Sequence, residues 1–320
     1  MRRILVTCLV SVLGCHGGAN GQDASTNPSA TPSPAVADAP ATGEDGAETA
    51  EHPATPASVW TQIEALDPQA PESVPRAAAL FVEHFGRAKP TEADLKAGVD
   101  RFLSFVGRSA AAADREARDD QALHAAACAA TARCDAGPVT PQATAELEAL
   151  AERGVRFVYE GEGMVTAVVD EMAVADLLAP VLSAPTKAYL EAMHWQAGRI
   201  DGQYDEDGFG GDPADVAAGL ARWEALAKAD PAYATVATEQ ATAIVSQYLN
   251  LCDHRGYTKP TCVLDKKLRA AYASFPTTNP DSAYVEVVAK FVEEAKGHRW
   301  RMDDEQLAAA IETSLASASP

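Results

Sequence analysis

From residue 58 onward, apolar residues recur three and four positions apart, the spacing that lines one face of a helix. The breaks between these runs carry helix start and stop signals. Ser73 and Pro75 open a run that puts Val74, Ala78, Phe81, Val82 and Phe85 on one face, with Gly86 as its expected end. Thr91 and Asp94 stand at capping-box spacing ahead of Leu95, Val99, Phe102 and Val106. An alanine-rich helix is expected from Ala110 to Arg133, and Thr140-Pro141 begins another that closes at Gly154. Asp212-Pro213, Asp230-Pro231 and Asn279-Pro280 repeat one device, in which a short acceptor caps free amides and proline takes a position where no donor is missed. Asp303 should start the last helix, with Gln306 completing its cap.

One segment has a different period. Val155 to Tyr159 and Met164 to Val169 are short β-branched and aromatic runs around Glu160-Gly161-Glu162-Gly163, which predicts a hairpin. A lone two-stranded ribbon is marginal in water, so it must pack on helices. The predicted fold is mainly α: an irregular helical domain over residues 58–320 with one small β-hairpin. A tetratricopeptide-type solenoid would explain the Asp-Pro junctions and Trp223-Glu224-Ala225-Leu226, but not the period. Taking Pro231 as the end of a repeat puts the Gly-rich stretch 202–211 where the first helix should lie, and no 34-residue recurrence is found.

The N-terminus reads as an address. Arg2 and Arg3 precede an apolar stretch from Ile4 to Leu13, too short for a span of about 20 residues, and then Gly14-Cys15. The ending Val12-Leu13-Gly14-Cys15 resembles the lipobox of bacterial lipoproteins, with Val12 where leucine is usual and Leu13 where a smaller residue is usual. The resemblance implies that residues 1–14 are a signal peptide, lost together with Cys8. Cys15 then becomes the lipidated first residue, with membrane lipid as its partner. Each buried acyl methylene contributes about 0.8 kcal/mol of membrane affinity. His16, in place of an aspartate after the cysteine, implies an outer-membrane address in a bacterial envelope. The order of helix, hairpin, helices and acidic turn also resembles uncharacterised exported bacterial proteins, which implies no activity.

Residues 16–57 hold six prolines and six carboxylates, with no Lys, Arg or aromatic residue. Such a segment cannot bury a core and is expected to be a disordered linker. Across the whole chain acidic residues outnumber basic ones 46 to 26, a formal net charge of -20. That balance repels phosphate backbones and anionic headgroups, so nucleic acid is not an expected partner. Alanine fills about a fifth of the positions and aromatics only 6%, a helical composition.

Besides the lipidated Cys15, four cysteines survive processing: Cys128, Cys134, Cys252 and Cys262. In an oxidising compartment they should form disulfides. Cys252 and Cys262 flank a non-helical connection containing Gly256 and Pro260, between one helix marked by Ile244, Val245, Tyr248 and Leu251 and another marked by Leu264, Leu268, Tyr272 and Phe275. They are expected to pair at the facing ends of a helical hairpin. Cys128 and Cys134 can pair only if their helix ends near Thr131, because six helical residues would hold their Cα atoms about 9 Å apart. A zinc site using cysteines with His124 or His254 is the alternative, without a Cys-x-x-Cys spacing to support it.

Asp201, Asp205, Asp207 and Asp212 form the densest acidic loop and are the candidate calcium ligands, although the calcium-hand register fails. With Gly208 as the turn glycine, Gln203 falls first and Ala214 last. Glu160 and Glu162, two apart at the hairpin turn, and His194-Trp195 on the helix after Pro185 are the remaining candidate chemistry. Phosphate loops, dinucleotide fingerprints, nucleophile elbows and His-Glu-x-x-His are missing from the chain, so no catalytic residue and no cofactor is assigned. The expected function is a lipid-anchored envelope protein that binds or scaffolds an envelope protein or ligand. The alternatives are an envelope hydrolase with its site near the hairpin and His194, and a calcium-dependent domain. A cleft joining Glu160, Glu162 and His194 would favour the hydrolase.

Overall fold

Asp-Pro and Thr-Pro junctions do start helices in this chain. A computed structural model describes residues 58–317 except 133, 135, 136, 162, 201–203, 206, 207, 210 and 256–260, so Cys15 and the linker lie outside the described residues. The N-terminal part holds α1 (Val59–Glu64), α2 (Ser73–Ala88), α3 (Glu92–Asp119), α4 (Gln121–Thr131) and α5 (Pro141–Glu152). An antiparallel hairpin follows, β1 (Val155–Gly161) with β2 (Met164–Val169), then α6 (Glu171–Leu178) and α7 (Ala184–Arg199). The C-terminal part holds α8 (Pro213–Ala229), α9 (Pro231–Leu249), α10 (Lys266–Thr278), α11 (Val285–Gly297) and α12 (Asp304–Leu315). The fold is therefore mainly α with a small hairpin. The Thr91 and Asp303 capping boxes form, and Asp212 and Asp230 cap α8 and α9.

Three boundaries differ from the sequence reading. α2 continues past Gly86 to Ala88, and Lys89 ends it at φ 46. The helix holding Ala110 is the far half of α3; the chain breaks at Asp120, whose carboxylate accepts from the amides of Ala122 and Leu123 to start α4. Asn279 closes α10 as its C-cap, and α11 begins only at Val285. Short ladders also appear where helical periodicity lapses. Two-residue β3 (Tyr204–Asp205) pairs with β4 (Gly208–Phe209). β5 (Asp253–Arg255), β6 (Thr261–Val263) and β7 (Arg301–Asp303) form a three-stranded sheet with β6 in the centre.

The helices bury two main apolar clusters. Phe81, Phe102, Phe105, Val174 and Leu178 centre the first, and Trp223, Tyr233, Tyr248, Tyr272 and Phe291 centre the second. α7 is a shared wall: Leu190 belongs to the first cluster, Tyr189 and Ala192 to the second. A polar seam joins them. One oxygen of Glu92, in the first turn of α3, accepts from the hydroxyls of Ser183 (2.6 Å), Thr186 (2.6 Å) and Tyr233 (2.9 Å). Two turns on, Asp100 accepts from Tyr189 at 3.1 Å and from Lys96 at 2.8 Å.

Close approach of α2 and α3 depends on Gly98. A Cβ there would lie 2.5 Å from Cζ of Phe85 and 3.2 Å from Phe81, two rings stacked at 4.4 Å and edged by Trp60. Gly98→Ala gains about 1 kcal/mol of helix propensity but forces this packed ring aside, at about 1–3 kcal/mol. The variant is expected to melt below wild type in a thermal scan. An unchanged or higher midpoint would show that the ring yields freely.

Candidate acid and histidine site

The hairpin and the first turn of α6 converge on one small group of ionisable side chains. β2 ends at Val169, and the amide of Asp170 donates to Gly154 O at 2.7 Å, closing the base of the hairpin. Asp170 then caps α6, its Oδ1 accepting from the amides of Met172 (3.1 Å) and Ala173 (3.3 Å). Capping fixes this carboxylate and sets Glu171 as the first helical residue. From the neighbouring strand, Arg156 lies one pair in from the base, opposite Val168. α7 returns beside α6 and supplies His194.

Nδ1 of His194 lies 3.5 Å from Oδ1 of Asp170 and 3.5 Å from Oε2 of Glu171. Nη2 of Arg156 is 3.9 Å from the same Oε2. The Glu171 side chain is only 10% exposed, whereas that of His194 remains 39% exposed and opens the group to solvent. Oε2 of Glu171, Nδ1 of His194, and Nε and Nη2 of Arg156 are buried and find no hydrogen-bond partner in the protein. Burial pushes the Glu171 carboxyl above the ordinary carboxylate range; its own backbone amide, and then the charges of Arg156 and His194, pull the other way without overcoming it. Such a cluster can hold a cation or exchange a proton.

The structure places the other candidates elsewhere. Glu160 is exposed at the far end of β1, and Glu162 lies outside the described residues. Since six strand residues span about 20 Å, Glu160 and His194 sit at opposite ends of the hairpin and form no joint cleft. Trp195 is engaged: its indole donates to Asp215 O at 3.3 Å and its ring carries Arg222 at 4.1 Å. Of the calcium candidates, Asp201 and Asp207 lie outside the described residues, as does the side chain of Asp205. Asp212 caps α8 and stands 3.9 Å from Lys267.

The cysteines stand in pairs. Helix α4 ends at Thr131, Ala132 turns left-handed at φ 54, and the Cα atoms of Cys128 and Cys134 come within 5.3 Å at disulfide-forming positions. Cys252 and Cys262 stand the same way at 5.4 Å. Thiolates used in these pairs are not available to a zinc ion with His124 or His254.

An open depression of about 550 Å³ lies away from this group, lined by Trp60, His84, Phe85, Lys89 and Arg101 among others. Of its two cations, Arg101 is already engaged, stacked 4.7 Å from Trp60 with its Nε 3.0 Å from Glu64. The unpartnered atoms of the Asp170 group therefore make it the stronger functional candidate. Compared with known protein families, curated proteins and solved structures, the chain matches none.

Proposed function

We propose that this chain is a lipid-anchored protein of the bacterial envelope, addressed to the outer membrane, whose helical domain binds another envelope component. The observation that carries the reading is the apolar run ending at Gly14-Cys15, followed by residues 16–57 with their prolines and acids. Physical chemistry supports a covalent anchor. Val139 and Met164 are the only exposed large hydrophobic residues among those described, and the acidic surface repels anionic headgroups. No helix among the described residues is long and apolar enough to cross a membrane. A membrane location therefore depends on acyl chains at Cys15.

Binding stands before hydrolysis because the described partners at the acid and histidine site are carboxylates, an imidazole and a guanidinium, with no hydroxyl or thiol nucleophile among them. One observation favours the second reading, an envelope hydrolase: Glu171 is buried with a raised pKa beside His194, a placement suited to proton transfer.

Metabolic acyl labelling with detergent partitioning tests the anchor. Wild type is expected to take up label and partition with membranes, and Cys15→Ser to lose both properties completely. An unlabelled wild type, or a Cys15→Ser chain that stays with the membrane, overturns the reading.

A further inference from the structure

We propose that Asp170, Glu171 and His194 bind one first-row divalent transition ion, with Zn²⁺ as its simplest representative. This goes beyond the anchoring reading and does not depend on it. One ligand atom from each of the three side chains lies within 4.8 Å of the others. The imidazole nitrogen is 3.5 Å from each of two carboxylate oxygens. Two ligands bound about 2.1 Å from a tetrahedral centre stand about 3.4 Å apart, so both separations fit a shared ion with little movement.

A second, independent observation points to a ligand. The Glu171 side chain is nine-tenths buried and its Oε2 has no hydrogen-bond partner; the facing Nδ1 of His194 is buried and unpartnered as well. Leaving a buried polar atom unsatisfied is costly, and here two such atoms face each other across 3.5 Å. A coordinated cation satisfies both at once.

The donor set selects the ion. Calcium takes about six to eight oxygen ligands, whereas one imidazole with two carboxylates suits zinc, nickel, cobalt or copper. Arg156, 3.9 Å from Glu171, sharpens that preference. With a neutral imidazole, Asp170, Glu171 and Arg156 sum to a single negative charge, too little to hold a hard ion by charge alone. The nitrogen ligand then decides the affinity. The exposed part of the His194 side chain gives the ion a way in, and three protein ligands leave coordination positions open.

The test uses the full mature chain in detergent, stripped with a chelator and titrated calorimetrically with ZnCl₂. One Zn²⁺ per chain is expected, with millimolar CaCl₂ failing to compete. His194→Ala and Glu171→Gln should each weaken Zn²⁺ binding by at least about tenfold to a hundredfold, with wild-type circular dichroism as the check on folding. Cu²⁺ bound to the wild type should show nitrogen hyperfine splitting in its electron paramagnetic resonance spectrum. That measurement needs no variant, and the splitting should vanish in His194→Ala. A wild type that takes up no Zn²⁺, a Cu²⁺ spectrum without nitrogen splitting, or Zn²⁺ affinity unchanged from wild type in both folded variants overturns the assignment. None of these results touches acylation at Cys15, so the two proposals fail separately.

Discussion

Glu92→Ala is expected to lower the unfolding midpoint by about 6–12 °C at neutral pH, equivalent to about 3 kcal/mol in a domain of this size. Glu92 sits on the seam between the two apolar clusters and accepts three hydroxyl donations through one oxygen. A hydrogen bond to a charged group contributes about 1.5–3 kcal/mol, but the three are not additive here. They share one acceptor, the carboxylate is partly exposed, and after its removal the hydroxyls of Thr186 and Tyr233, 2.7 Å apart, still satisfy one another. The loss should also depend on pH. Burial works against the Glu92 charge, but the donations from Ser183, Thr186 and Tyr233 together outweigh it and hold the carboxyl below the ordinary carboxylate range. A lowered folded-state pKa gives stability that is complete above the unfolded value and disappears as pH falls through the folded one. The gap between wild type and Glu92→Ala should be constant from neutral pH down to about 5, then close as acid protonates the wild-type carboxylate. Denaturant melts across that range decide it; a gap that persists undiminished at about pH 2 would refute the charge-based account.

The seam also marks where sequence reasoning stops. Local signals were legible wherever a cap and its helix are adjacent: Thr91 with Asp94, Asp212-Pro213, Asp230-Pro231, and Asp303 with Gln306 each act within four residues. Asn279-Pro280 carries the same signature yet follows α10 as its C-cap, because an asparagine side chain can accept from amides at a helix start or donate to carbonyls at a helix end, as Nδ2 of Asn279 does to Phe275 O at 3.5 Å. The division of α3 from α4 at Asp120 was hidden by alanines on both sides, which suit helix on either flank of a break. The candidate site was half legible. His194 stood out as a residue, but its partners Asp170 and Glu171 are 24 and 23 positions away and meet it only because the hairpin base feeds directly into α6. Asp170 itself had a readable sign, an acceptor directly after a β-branched strand and before an apolar run. That sign marks a helix start, and only packing of α7 against α6 gives it chemistry. The Glu160 and Glu162 pair drew attention through spacing alone, and Glu160 is exposed, where a carboxylate is not desolvated.

Replacing both Cys252 and Cys262 with serine is expected to cost about 3 kcal/mol, against about 2 kcal/mol for Cys128 and Cys134, because the longer loop loses more unfolded-state restriction. The larger loss should also be more local. Cys262 is fully buried on the central strand β6, opposite Met302 of β7 and His254 of β5. Its bridge to Cys252 closes the connection between α9 and α10. Those helices are already held together by Tyr248 against Tyr272 at 5.0 Å, by Phe275 at 5.6 Å, and by the Tyr272 hydroxyl donating to Tyr248 O at 2.7 Å. The double serine variant should therefore still fold, while its amides around residues 250–263 exchange faster than in wild type. The pairing is checked first, by tryptic mapping without reductant, because Arg255 and Arg133 lie between the members of each pair. Residues 229–255 should be recovered linked to residues 256–266, and residues 119–133 to residues 134–153, with both links lost on reduction. Crossed links between the two sets, or free thiols at Cys252 and Cys262 in protein taken from the envelope, would overturn the pairing and return the cysteines to consideration as metal ligands.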